Sequence, residues 1–152
     1  MRPVDVLNQE PRLAICEKSV RKCVASMDEM DQETIPAGSL GIAFVTEAEC
    51  SRLHSTFFED PDVTDVMTFP GEPDDQHAGD IAICPAVAAA AATDSGLPFK
   101  EELTLYLVHA WLHLAGMEDQ SDPGRADMRA AETRLMRLLR TRNCLLEATW
   151  TS

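Results

Sequence analysis

The period of apolar and polar positions changes several times along the chain, and each change marks an element. Residues 4–7 read as a short strand, and over 11–27 Leu13, Cys16, Val20, Cys23, Val24 and Met27 recur on one side of an amphipathic helix. An acidic turn over 28–33 separates it from residues 40–45, whose alternation predicts a strand. Thr46 with Glu49 three residues on is a capping-box pair that opens a helix through Phe58. Residues 65–69 and 80–84 read as strands. Between them the polar, proline-containing segment 70–78 predicts a loop that carries His77 in solvent, the alternative being a loop beside the cleft that brings His77 near the ion. Pro85 suits the first turn of an alanine-rich helix ending near Gly96, Pro98 precedes a helix over 99–115, and Asp122-Pro123 begins a last helix. In that helix Met128, Ala131, Leu135, Leu138 and Leu139 recur at helical spacing. Strands alternating with helices, then three helices in a row, predict an α/β sandwich in which a small mixed four-stranded sheet is covered by about five helices.

The helix over 99–115 carries the candidate chemistry. Side chains four apart lie one above the other on a helix, so His109 and His113 can pinch a single ion. Gly116 stops the helix by taking the left-handed conformation, and the chain turning back brings Asp119 toward the same ion. Three protein ligands leave a coordination position open, as in catalytic zinc sites. Two histidines on an apolar helix can also be ordinary core residues. Here two of only four histidines stand at ligand spacing with a helix-ending glycine and a carboxylate behind them, which favours a metal. Zinc is the first expectation, with nickel, iron or manganese compatible with two imidazoles and a carboxylate. An anionic third ligand makes the ion a weaker Lewis acid than a third imidazole would. Glu118, next to the ligand, is a candidate proton acceptor.

Length and composition admit one domain over residues 1–152, 45% hydrophobic, with enough material for a core. The N-terminal residues lack a signal peptide's apolar stretch, and the longest nearly apolar run, 81–92, is too short for a membrane span and contains Pro85. Five cysteines with no C-x-x-C pair suit reduced thiols in the cytoplasm. A formal net charge of -13 weighs against a nucleic-acid partner, but its distribution is uneven. Residues 53–80 hold eight acids and no lysine or arginine, whereas 120–152 hold six arginines against four acids. With Arg2, Arg12, Lys18, Arg21 and Lys22 near the start, the two ends would form a positive wall if they packed side by side; the alternative is ordinary solvated helix faces.

Three motifs in order carry a family resemblance. His109-Ala-Trp-Leu-His113-Leu-Ala-Gly116-Met-Glu-Asp119 is similar to the H-G-x-L-H-L-x-G-x-D-H signature of the YbeY family of bacterial rRNA maturation endoribonucleases. Thr64-Asp65-Val66-Met67-Thr68-Phe69-Pro70 resembles that family's T-D-V-L-S-F-P strand, and Gly79-Asp80-Ile81-Ala82-Ile83 its G-D-I-x-I strand. The resemblance spans about residues 38–136. It implies a metal-dependent endoribonuclease that cuts single-stranded rRNA in ribosome maturation, with a metal-bound water as nucleophile and ribosomal particles as partners. It also implies that the strand beginning at Thr64 and Asp65 borders the substrate cleft. Two departures from the pattern matter: the third ligand is Asp119 where the family has histidine, with Glu118 before it where the family has aspartate, and Phe58 stands where the family's L-N-x-x-[YF]-R motif has arginine. A phosphate-pairing role therefore does not carry over to Phe58.

Two other readings compete. H-x-x-x-H-x-x-G-x-x-D imitates metzincin peptidases, but their glutamate base directly after the first histidine is Ala110 here. A non-catalytic assembly or RNA-binding factor could use the ion only to fasten the helix end to the turn.

Overall fold

The computed structural model describes residues 2–30, 34–58 and 66–151. Thr64 and Asp65, expected to contact substrate, lie outside the described residues. The elements are β1 (Val4–Asn8), β2 (Leu13–Ile15), α1 (Glu17–Met30), β3 (Ser39–Phe44), α2 (Glu47–Phe58), β4 (Val66–Pro70), β5 (His77–Ile83), α3 (Pro85–Ser95), α4 (Phe99–Leu114), α5 (Asp122–Thr141) and β6 (Ala148–Trp150). Four strands form a mixed sheet in the order β1-β3-β5-β4. β1, β3 and β5 run parallel, and β4 closes one edge antiparallel to β5, with Val66 opposite Ile83 and Thr68 opposite Ile81. The expected α/β architecture, a mixed four-stranded sheet with five helices, is what the described residues adopt.

Alternation along each strand divides the apolar side chains between two faces. Leu40, Ile42 and Phe44 of β3 and Ile81 and Ile83 of β5 turn to the larger core, where α1 contributes Val20, Cys23, Val24 and Met27. α4 lies in that core: Leu103, Leu107, Val108, Ala110, Trp111 and Leu112 are all 0% exposed. Each such leucine contributes about 1.5–3 kcal/mol over an exposed one, which makes this helix the rigid base of whatever it presents. The indole nitrogen of Trp111 is satisfied, since Nε1 donates to Asp28 at 3.2 Å and Arg2 clamps the same carboxylate at 2.6 Å. The opposite face carries a smaller cluster of Val45, Cys50, Met67, Ala82 and Cys84, against which Leu53 of α2 packs. α2 begins as its sequence predicts, with Thr46 Oγ1 accepting from Glu49 N at 3.1 Å, while the Glu49 carboxylate binds Arg52.

Three expectations need correction. The helix expected over 11–27 starts only at Glu17 and runs on to Met30. Leu13–Ile15 forms instead a two-stranded antiparallel sheet with β6, pairing Leu13 with Trp150 and Ile15 with Ala148. Spacing in the sequence cannot reveal this, because the partner lies at the far end of the chain. The expected loop over 70–78 is shorter than predicted: Pro70 ends β4, Pro73–Asp75 make a 3₁₀ turn, and His77 already belongs to β5. His77 is not loose in solvent, for its Nδ1 lies 2.7 Å from Ser39 Oγ and its Nε2 2.9 Å from Asp80.

The chain ends do meet, through β2 and β6, yet their arginines are largely matched locally. Arg2 pairs with Asp28, Arg12 with the buried Glu10 and with Glu47, Arg140 with Glu101 through two nitrogens, and Arg142 stands 3.9 Å from Glu29. None of the described helices is long and apolar enough to cross a membrane.

Candidate metal centre

α4 ends in a Schellman arrangement. Gly116 N donates to the His113 carbonyl at 3.0 Å and Met117 N to the Leu112 carbonyl at 3.1 Å, with Gly116 at φ 100, a conformation open to glycine and costly to residues with a Cβ. The chain thus reverses within one turn of His113 and returns Asp119 across the end of the helix. His109 Nε2 lies 3.0 Å from His113 Nε2, and Asp119 Oδ2 is 3.5 Å from the first and 3.6 Å from the second. Ligands about 2.0–2.1 Å from a tetrahedral ion stand about 3.3 Å apart, so this triangle matches one face of such a polyhedron. The rings of His109 and His113 are nearly perpendicular, at 82°. Side-chain exposure is 22%, 26% and 32% for His109, His113 and Asp119, leaving one side of the triangle open to solvent. Among the described residues, these three alone form a cluster of histidine, cysteine or carboxylate donors fit to hold an ion.

The turn between α4 and α5 is braced from within. Glu118 accepts from Gln120 N at 2.6 Å, from Ser121 N at 3.0 Å and from Ser121 Oγ at 2.5 Å. The Ser121 hydroxyl, then the two backbone donors, hold the Glu118 carboxyl below its ordinary range. Ser121 in turn caps α5 by accepting from Gly124 N at 3.0 Å. Arg125 donates to the Gln120 carbonyl at 3.0 Å. Gly124 makes this closeness workable: a Cβ there would fall 1.9 Å from Glu118 Oε1 and 2.8 Å from its carbonyl oxygen.

Sequence reasoning missed the partner of His109. Its Nδ1 hydrogen-bonds the Glu132 carboxylate of α5, which is 18% exposed. A carboxylate on the second nitrogen selects the tautomer and directs Nε2 into the triangle. A signal was present, because Glu132 interrupts the apolar stripe Met128, Ala131, Leu135 and Leu139 of α5. Nothing in the local sequence said which residue that charge would meet.

The triangle opens into a cavity of ≈ 340 Å³ lined by His54 of α2, Val66, Met67 and Thr68 of β4, and Gln120 beside the three candidate ligands. The edge strand of the sheet therefore borders the site, as the family resemblance implied. Ala110, at the position where a metzincin has its glutamate, is fully buried in the core and offers no base to this cavity. All five cysteines are free, four of them buried.

The family model for endoribonuclease YbeY matches residues 5–140. An endoribonuclease YbeY from Protochlamydia amoebophila (strain UWE25) is 31% identical over 137 residues, covering 88% of this chain and 90% of the relative. One from Chlamydia pneumoniae is 29% identical over 153 residues, covering 95% and 96%. The solution structure of TM1509 from Thermotoga maritima shares the fold with a TM-score of 0.63 at 23% identity, covering 90% of this chain and 88% of that one.

Proposed function

The chain belongs to the endoribonuclease YbeY family, and within it we propose a metal-dependent endoribonuclease that cuts single-stranded rRNA during ribosome maturation, with His109, His113 and Asp119 as the ligands of its ion. The observation that carries this reading is the triangle of donor atoms, 3.0, 3.5 and 3.6 Å on a side, exposed at the floor of a cleft that an edge strand borders. Zinc fits these donors first, and nickel, iron or manganese are compatible. When bound, the ion supplies Lewis acidity and neutralises charge on phosphoryl oxygens.

The protein's own residues do the rest. Glu132 keeps the proton of His109 on Nδ1, so that Nε2 offers its lone pair to the ion. Glu118, with its carboxylate committed to three donors and its pKa lowered, shapes the ligand turn and is a poor proton acceptor. β4 lies at the sheet edge beside the triangle, where an extended single strand can run along it. Thr64 and Asp65, which precede β4 in the sequence, are the further substrate contacts in this reading. Residues 1–152 act in this reading as one hydrolase domain, and ribosomal particles supply the substrate. The buried Ala110 removes the support a peptidase would need.

The test is cleavage of a single-stranded rRNA fragment by wild type and His109→Ala, with and without chelator, alongside elemental analysis. About one equivalent of metal in wild type, and cleavage lost on chelation and in a folded His109→Ala, is the expected result. Equal cleavage by both proteins would sink the reading.

A further inference from the structure

Among the described residues lining the cavity, His54 is the one side chain that can carry a positive charge without belonging to the candidate ligands. Its position follows from α2. Cys50, 1% exposed, and Leu53 pack on the sheet, and the Phe57 ring stands edge-on to Phe69 with centroids 5.1 Å apart. One turn after Cys50, on the same side of the helix, His54 is directed to the sheet edge where β4 meets the triangle.

Charge around the cavity is unbalanced for an anion. Asp119 forms part of the wall and Glu132 stands behind His109, while no lysine or arginine is among the described residues that line it. A phosphodiester brought to the ion meets, besides the metal, the Thr68 hydroxyl, the Gln120 amide and the His54 imidazole. Of these only the imidazole can bring a positive charge of its own to a phosphoryl oxygen.

We propose that His54 is a substrate-contacting residue that donates a hydrogen bond to a non-bridging oxygen of the phosphate held at the metal centre. The inference rests on the cleft being a phosphodiester site and adds the residue on its α2 wall that binds the anion. His54 thereby sets how the strand is seated, with the phosphate between α2 and the end of α4.

The experiment is calorimetric titration of inorganic phosphate into metal-loaded wild type, His54→Ala and His54→Arg, with metal content measured in each. His54→Ala should keep about one equivalent of metal and bind phosphate about tenfold or more weakly, the weight of one charge-assisted hydrogen bond. His54→Arg, which keeps a cationic donor, should recover most of that affinity. Equal phosphate affinity in wild type and His54→Ala overturns the proposal, as does a wild type that binds no phosphate or a His54→Ala that loses its metal. RNA cleavage by the same proteins separates the two readings. Wild type that binds phosphate through His54 but cuts no RNA refutes the ribonuclease and leaves the contact standing. Cleavage that is indifferent to His54 does the reverse.

Discussion

His109 is held from two sides: its Nε2 faces Asp119 at 3.5 Å across the candidate metal centre, and its Nδ1 is engaged by the Glu132 carboxylate of α5. The last helix is therefore tied to the candidate centre through His109. Removing the carboxylate should loosen the ring and leave its tautomer unselected. Glu132→Gln is expected to weaken metal affinity about 10–100-fold while the protein stays folded. Competition against a chelator of known affinity measures this, and an unchanged constant would remove Glu132 from the site.

Asp119 makes the centre less positive than a third imidazole would. Asp119→Ala and His113→Ala should each lose most of the bound metal. Asp119→His should hold metal with a stronger preference for zinc over manganese, because imidazole is the softer donor. Metal content after equilibration with an equimolar mixture of the two ions reports the ratio. A variant with the wild-type preference would contradict the role given to the carboxylate.

Gly124 is where α5 passes beneath the ligand turn. The methyl of Gly124→Ala would collide with Glu118 and force the turn outward, at a cost of about 1–3 kcal/mol for an overpacked site. Thermal unfolding should show a lower midpoint, and metal affinity should fall with it because Asp119 sits on the displaced segment. A variant as stable as wild type would mean that the Glu118 side chain swings away freely.

The same turn should be acid-sensitive. Glu118 titrates below its ordinary 4.5 in the folded protein, so its contribution to stability is fully present above that value and is lost as pH falls through the lower folded value. In chemical unfolding of the metal-free protein, wild type should lose its advantage over Glu118→Gln in that acidic window. Parallel curves from neutral pH down to 3 would argue that the hydrogen bonds seen in the turn contribute nothing.

Thiol chemistry checks the packing. Burial raises the Cys23 thiol far above its normal range, and Cys84 is raised by its hydrogen bond with Cys50 together with burial. Cys16, the one cysteine not buried, should react first with a bulky disulfide reagent, and the other four only on unfolding. Rapid native labelling of two or more would show that the core opens readily.

Much of the site was legible in the sequence because its geometry is local. The interval between His109 and His113 sets two rings on one face of any helix, and a glycine three residues later ends that helix in a way that depends only on backbone sterics. That the strand ending at Pro70 borders the cleft was implied by the family resemblance alone. Helix starts and short strands were less legible, as Leu13–Ile15 shows: three residues satisfy both periods, and only β6 decides between them.

The amphipathic periods, the spacing of His109 and His113 and the helix stop at Gly116 were already set by the order of residues, because each depends on geometry within a few positions. Tertiary structure alone decided that Glu132 backs His109, that His54 enters the cleft, that β6 captures the start of the chain and that the terminal arginines meet acids. Each of these depends on elements far apart in sequence. They are brought together by burial of the faces of α4 and the sheet, and a hydrophobic driving force, being non-directional, specifies which faces are covered without naming the polar pairs formed at their margins.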